Sequence, residues 1–217
     1  MSLITVERKI LEKNDEIANI NREKFRFKGM FTLNLVSSPG SGKTCLIEQT
    51  IKLLKEKMNI AVIEGDVQTN IDAQRIDALG VPVVQIVTNG ACHLDAMLVR
   101  DAFQKLNDID INILFIENVG NLVCPAAYDL GEEMKVVIIS TTEGDDKPLK
   151  YPAIFRNSEV LVINKIDLLP HVNCDVDTII KNAHSINSGL KVFEVSCTSM
   201  EGINEWCEFL LYEVKSQ

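Results

Sequence analysis

Ser37-Ser38-Pro39-Gly40-Ser41-Gly42-Lys43-Thr44 is the stretch on which the fold turns. The apolar run Phe31–Val36 leads into it, and a helical pattern over Cys45–Lys57 leads out of it. A strand that enters a glycine-bearing turn and leaves as a helix is the setting of a Walker A, or P-loop, phosphate cradle. Gly40 and Gly42 let the backbone turn so that successive amides, through Ser41 and on to Cys45, face phosphate oxygens. The following helix adds the positive end of its dipole. Lys43 is placed to reach β- and γ-phosphates, and Thr44 to offer its hydroxyl to magnesium. Ser37 stands where such loops usually begin with glycine. It lies at the strand end, farther from the phosphates, so the cradle survives the exchange.

Outward from this loop, short apolar runs recur at Ile60–Ile63, Val83–Val87, Ile111–Ile116, Val136–Ile139, Val160–Ile163 and Val192–Val195. They are mostly Val- and Ile-rich without strict alternation, as in strands buried on both faces. Helical spacing lies between most of them, at Leu94–Leu106 and Val176–Ile186 for example, and an amphipathic helix is expected over Thr5–Lys24. Alternating strands and helices imply an α/β fold: a mostly parallel sheet flanked by helices, a P-loop G-domain with an N-terminal helix. No repeat or linker divides the chain. The expectation is one domain over residues 1–217, with about the first 25 forming the helical segment.

The 217 residues carry a formal net charge of −9. That balance disfavours nucleic acid and anionic membranes as partners. The opening Met-Ser-Leu-Ile-Thr-Val-Glu-Arg-Lys has no apolar signal-peptide core, and no apolar run approaches the ~20 residues needed to span a bilayer. Six scattered cysteines then read as reduced thiols, and the expected compartment is the cytoplasm.

The run at Val160–Ile163 continues into Asn164-Lys165-Ile166-Asp167, which fits the guanine-reading pattern Asn-Lys-x-Asp. The Asp167 carboxylate can accept from guanine N1–H and the 2-amino group, a donor pair adenine lacks. The Lys165 stem can pack along the ring, and Asn164 can fix the loop. Ser196-Cys197-Thr198, at the end of the next strand, falls where a backbone amide can meet guanine O6. The nucleotide expected is GTP, with GDP as product. Two further strand ends carry acids: Glu64-Gly65-Asp66 and Glu117-Asn118-Val119-Gly120. Asp66 and Glu117 are the candidates facing magnesium, and Gly120 the backbone sensor of the γ-phosphate. With Lys43 they form the expected catalytic set. No glutamine stands where small Ras-like GTPases position water, so intrinsic hydrolysis should be slow.

Cys92-His93 and Cys124-Pro125 make a second cluster. Two thiolates and an imidazole suit nickel, zinc or copper, and they leave a four-coordinate site one ligand short. The spacing defines no geometry, so two buried cysteines and a satisfied histidine are the more ordinary reading of these residues alone. Cys45, Cys174, Cys197, Cys207, His171 and His184 stand apart from this cluster. Because Cys124 lies seven residues after Glu117, it should move with a phosphate-sensing loop, whereas Cys92 and His93 need not move equally.

SSPGSGKT, EGDVQT, CHLDA, ENVGNLVCP, EGDDKPLKYP and NKIDLLP occur in this order. With these motifs the chain resembles the HypB family, GTPases that incorporate nickel into [NiFe]-hydrogenase. The resemblance runs from about Asn21 to near the end of the sequence. It implies a G-domain of the signal-recognition/MinD type and a GTP-dependent homodimer. It also implies nickel or zinc held at the dimer interface by Cys92, His93 and Cys124. Hydrogenase maturation proteins and the hydrogenase large subunit are the partners it implies. There is no histidine-rich N-terminal stretch and no N-terminal cysteine cluster, so nickel storage and a separate tight N-terminal site are not expected. Other readings are a GTPase serving urease or a cobalamin enzyme, or a nickel-buffering protein. The urease type usually carries Cys-Pro-His where this chain has Cys124-Pro125-Ala126, and intact Lys43, Thr44 and Asp167 argue against a mere buffer.

Overall fold

β1 (Phe31–Ser37) is buried at every position, as a strand must be when both faces of its sheet are covered. A computed structural model, describing residues 6–216, places it at the centre. β1 pairs with β4 (Ile113–Glu117) on one side and β5 (Met134–Ser140) on the other. Beyond β4 lie β2 (Ile60–Asp66) and the edge strand β3 (Val83–Val87). Beyond β5 lie β6 (Val160–Asn164) and the opposite edge, β7 (Lys191–Glu194). All of these pairings are parallel, so the sheet is more uniform than the mostly parallel one expected.

Alternate side chains of each strand serve different layers. Phe31, Leu33 and Leu35 meet Leu46, Ile47 and Ile51 of α2 (Lys43–Leu54) and Trp206 and Leu210 of α8 (Ile203–Lys215). Burying each such side chain contributes about 1.5–3 kcal/mol. On the other face, Ala61, Ile63, Leu114 and Ile116 pack with Phe25 of α1 (Val6–Phe27) and with Val99 and Phe103 of α4 (Ala96–Phe103). Val137, Ile139, Leu161 and Ile163 lie under α6 (Pro152–Arg156) and α7 (Val176–Ile186). Two shorter helices, α3 (Ile71–Asp77) and α5 (Lys147–Lys150), border the strand ends.

Several boundaries differ from those read in the sequence, for local reasons. α2 begins at Lys43, not Cys45, because Gly42 takes a left-handed turn (φ 101°) that starts the helix immediately. α4 begins at Ala96 because the Asp95 carboxylate accepts from the Leu98 amide (2.8 Å) and caps it there. Cys92 and His93 therefore lie in the loop before α4, three or more residues from its first turn. β4 starts at Ile113 instead of Ile111. The first helix runs past Lys24 to Phe27, while Thr5 lies outside the described residues.

Polar ties pin α1 as well as packing. Asn14 Oδ1 accepts from the Ala96 amide (2.9 Å), and its Nδ2 donates to the Asp129 carbonyl (2.8 Å). Asn21 Nδ2 donates to the carbonyls of Ala96 (2.8 Å) and Leu130 (3.0 Å). From β1 the chain passes outward to β2 and β3, returns to β4, then crosses to β5. That reversal opens a crevice at the carboxyl ends of the central strands, where ligands bind in sheets of this kind. Among the described residues no helix is long and apolar enough to cross a membrane.

Candidate nucleotide and metal sites

The loop after β1 lines a cleft of about 400 Å³ with Gly40, Gly42, Lys43 and Thr44, facing Asp66, Glu117 and Gly120. Gly40 and Gly42 both have positive φ (78° and 101°), as expected of a backbone folded around phosphate. Lys43 Nζ donates to Ser37 Oγ (3.0 Å). The residue in the usual glycine position is thus a resting partner for the lysine. The single Ser41 hydroxyl hydrogen is shared between Glu143 Oε1 (2.6 Å) and the Ser38 carbonyl (2.9 Å). Lys147 Nζ donates to Ser38 Oγ (3.2 Å) and pairs with Glu143 (3.2 Å). Burial works against ionisation of Glu143, but hydrogen bonds from Ser41 and its neighbours hold its carboxyl below the usual range.

The Asn164–Asp167 segment closes one end of this cleft. Asn164 Nδ2 donates to the Ser41 carbonyl (2.8 Å), and its Oδ1 accepts from the Lys165 amide (2.8 Å) and more weakly from the Cys197 amide (3.4 Å). Lys165 is left-handed (φ 64°), and its Nζ donates to the Gly40 carbonyl (2.7 Å). Asp167 Oδ1 accepts from Ser196 Oγ (2.6 Å), whose oxygen in turn accepts from the Thr198 amide (3.2 Å). The structure brings the two sequence segments into one loop pair beside the phosphate cradle. Cys45 meets Cys197 there. A hydrogen bond from Cys197 lowers the Cys45 thiol to about 6, and that bond together with burial raises Cys197.

At the strand ends, Thr44 Oγ1 donates to Glu117 Oε1 (2.7 Å). Among the described residues, Glu117 Oε2 is buried without a partner, and so is Glu64 Oε2. Burial pushes Glu117 up to about 7 against the pull of Lys43, and burial with the Glu117 charge pushes Glu64 up to about 8. Asp66 behaves differently. Its Oδ1 accepts from the amides of Gln68 (2.8 Å) and Thr69 (2.6 Å). These bonds outweigh burial and hold it below its ordinary value. Asp66 therefore fixes its own loop with one oxygen. Glu64, Asp66 and Asp72 bring carboxylate oxygens within 4.8 Å of one another. Glu64 was missed as a site residue, although its place two residues before Asp66 on a strand puts both on one face.

The thiol cluster forms a few residues away. Ligand atoms of Cys92, His93 and Cys124 lie within 4.8 Å of one another. The Cys92 and Cys124 sulfurs are 2.9 Å apart, and His93 Nδ1 is 3.6 Å from Cys92. Donation to Cys124 raises the Cys92 thiol, and burial lowers His93. The His93 ring lies against Tyr128 with centroids 4.0 Å apart. Asn121 Nδ2 donates to the Cys92 carbonyl (3.2 Å). This bond joins the Cys92–His93 arm to the segment that carries Cys124. Asn121, which belongs to that segment, holds the arm directly. Asn118, Asn121 and Glu143 were also missed. Glu143 stood within the quoted EGDDKPLKYP motif just past a strand end, a signal that could have found it.

A strand, a glycine-turned phosphate cradle and a helix on an all-parallel sheet define a P-loop nucleoside-triphosphatase, here with a sulfur-rich cluster on the same rim. The signal recognition particle receptor FtsY of Elizabethkingia anophelis shares that fold, with a TM-score of 0.58 at 14% identity over 90% of this chain and 73% of its own. The profile of the CobW/HypB/UreG nucleotide-binding domain matches residues 31–194. Hydrogenase maturation factor HypB of Azotobacter chroococcum is 53% identical over 96% of this chain and 68% of its own length. A crystal structure of HypB from Helicobacter pylori in complex with nickel superposes with a TM-score of 0.90 at 38% identity, covering 94% of this chain and 96% of that one. The chain belongs to the HypB family.

Proposed function

We propose that the protein is a GTP-hydrolysing nickel metallochaperone for the maturation of [NiFe]-hydrogenase. The observation that carries this reading is the continuity of two sites. Residues 117–124 run from the carboxylate bonded to Thr44, through the glycine facing the P-loop, to a cysteine of the sulfur cluster. On nucleotide binding, Lys43 exchanges Ser37 for phosphate oxygens, and the amides at the start of α2 receive the remaining charge. Asp167, oriented by Ser196, reads the guanine edge, while Lys165 lies along the ring.

The donors at the strand ends fit a magnesium ion. A hydroxyl and partnerless carboxylate oxygens, buried together, are the hard oxygen ligands that ion takes. Thr44 and Glu117 would hold it, with Asp66 and Glu64 beside them. Bound there, magnesium neutralises charge on the phosphates. Gly120, whose added Cβ would lie 3.1–3.2 Å from Pro39, presses on the P-loop and can follow the γ-phosphate.

Nickel is the cargo. Cys92, His93 and Cys124 offer a soft-to-borderline set with one position left for a donor from a second copy in a GTP-closed homodimer. The resemblance of the whole chain to HypB proteins, one of them seen with nickel, supports nickel over zinc. Loss of the γ-phosphate loosens the dimer and lets nickel pass to hydrogenase maturation partners in the cytoplasm. The test is turnover with GTP against ATP, together with nickel stoichiometry and mass by light scattering, with and without a non-hydrolysable GTP analogue. Slow GTP-selective turnover and nickel-bearing dimers in the analogue state are expected. Equal use of ATP, or no nickel retained by the intact chain and the same loss in Cys92→Ala, would overturn the reading.

A further inference from the structure

We infer that Asn118 is the positioning residue through which the state of the nucleotide reaches both arms of the metal cluster. The inference rests on the reading that the two sites are linked, and it names the part that links them. Asn118 follows the last residue of β4 and is 1% exposed. Its Oδ1 accepts two amides at once, Val119 (3.0 Å) and Leu94 (3.0 Å). Val119 is the residue before Gly120. Leu94 is the residue after His93. One oxygen atom thus spans the phosphate-facing loop and the first metal arm.

The other end of the same amide reaches the second arm. Asn118 Nδ2 donates to Asn34 Oδ1 (3.2 Å), and Asn34 Nδ2 donates to Glu132 Oε1 (3.0 Å). Glu132 pairs with Lys135 (3.4 Å), whose Nζ donates to the carbonyls of Tyr128 (3.0 Å) and Pro125 (3.4 Å). Pro125 follows Cys124, and Tyr128 carries the ring against His93. All four polar side chains of this relay are less than 10% exposed. In a dry interior such bonds are strong, and leaving one unmade is costly. The network therefore resists small deformations and shifts as a unit.

Leu94 adds a steric contact to the same junction. A Cβ placed on Gly65 would lie 2.8 Å from the Leu94 methyl carbons. Leu94 is thus wedged against the strand end that carries Glu64 and Asp66 while its amide is held by Asn118. A shift of residues 118–120 toward or away from phosphate must either carry Leu94 with it or break the Asn118 bond. The first choice moves His93.

The test reads a ratio, which a merely structural asparagine would leave unchanged. Nickel affinity is titrated with GDP bound and again with a non-hydrolysable GTP analogue, in the unmodified protein and in Asn118→Ala. In the unmodified protein the two affinities should differ within the usual range of about 5–150-fold. In Asn118→Ala the ratio should fall to within about twofold of one, while metal-free nucleotide affinity stays within about threefold. A variant that keeps the original ratio overturns the role of Asn118 and leaves the linkage itself standing. A ratio of one in the unmodified protein overturns the linkage and this inference with it. A measurement without any substitution guards against misfolding of the variant: hydrogen exchange at the Leu94 and Val119 amides in the two nucleotide states. Their protection should change together, and a change at Val119 with none at Leu94 overturns the inference.

Discussion

Ser196 decides how Asp167 can be altered. Its hydroxyl hydrogen is committed to Asp167, because its oxygen already accepts from the amides of Thr198 and Ser199. In Asp167→Asn the side-chain oxygen therefore stays toward Ser196 and the NH₂ turns to the base. Guanine then meets a donor with its own donors, while xanthine offers a carbonyl. GTP binding should weaken by roughly 2–4 kcal/mol, with xanthine nucleotide favoured instead. Calorimetric titration showing unchanged GTP affinity would remove Asp167 from the site. Glu64 carries a second prediction. Burial and the Glu117 charge raise its carboxyl from 4.5 to about 8, so the folded chain holds a proton that the unfolded chain releases. Its stability is full below the unfolded value and falls as pH climbs toward the folded one. In metal-free, nucleotide-free protein, Glu64→Gln should be nearly neutral at pH 4.5. By pH 8 it should be stabilising, on the order of 1–3 kcal/mol. Thermal melts across that range check it, and parallel profiles for the two proteins would show that Glu64 is not strained by its surroundings.

Among the elements, the turn between β1 and α2 was legible because its signals are local: two glycines, a lysine and a threonine within eight residues, flanked by opposite periodicities. The Asn164–Asp167 loop was legible for the same reason. The start of α4 was not, because leucine, alanine and methionine at positions 94–97 satisfy helical spacing, and the capping role of Asp95 overrode it. The asparagine ties were not legible at all. Asn118 and Leu94 stand 24 positions apart, and Asn14 and Ala96 stand 82 apart. No periodicity marks such partners; only the parallel crossovers bring them together. The family motifs located the sulfur cluster, but that the segment of residues 118–124 holds both of its arms emerged only with the loops in place. A comparison of the two P-loop glycines tests the element itself. Both have positive φ, but an added Cβ at Gly42 would strike Asn164 Nδ2, whereas at Gly40 it would meet nothing within 4 Å. Gly40→Ala should cost the left-handed strain alone, about 1–2 kcal/mol. Gly42→Ala should cost more in thermal stability and also abolish nucleotide binding, because it dislodges the residue joining the P-loop to the guanine loop. Equal losses from the two substitutions would mean that Asn164 does not brace the cradle.

At the scale of the whole molecule, nucleotide and metal share one rim of the sheet, and linkage then constrains them both. If GTP alters nickel affinity by some factor, nickel must alter GTP affinity by the same factor. The chain offers three donors at Cys92, His93 and Cys124, and the fourth position is open to a second copy. If the proposed dimer forms only in the GTP-analogue state, nickel affinity should accordingly rise with protein concentration there and stay flat with GDP. Cys124→Ala removes the donor nearest the phosphate-facing loop. It should weaken nickel binding and abolish the nucleotide dependence, while GTP binding to metal-free protein stays near normal, because Cys124 does not line the P-loop cleft. The measurement is a pair of nickel titrations, with GDP and with the analogue, each repeated at several protein concentrations for both proteins. Nickel affinities that are equal in the two states and independent of concentration would make the two sites neighbours on the sheet and nothing more. A difference between states without concentration dependence would keep the linkage but place it within one chain, with the open position filled by water or a backbone nitrogen rather than by a second copy.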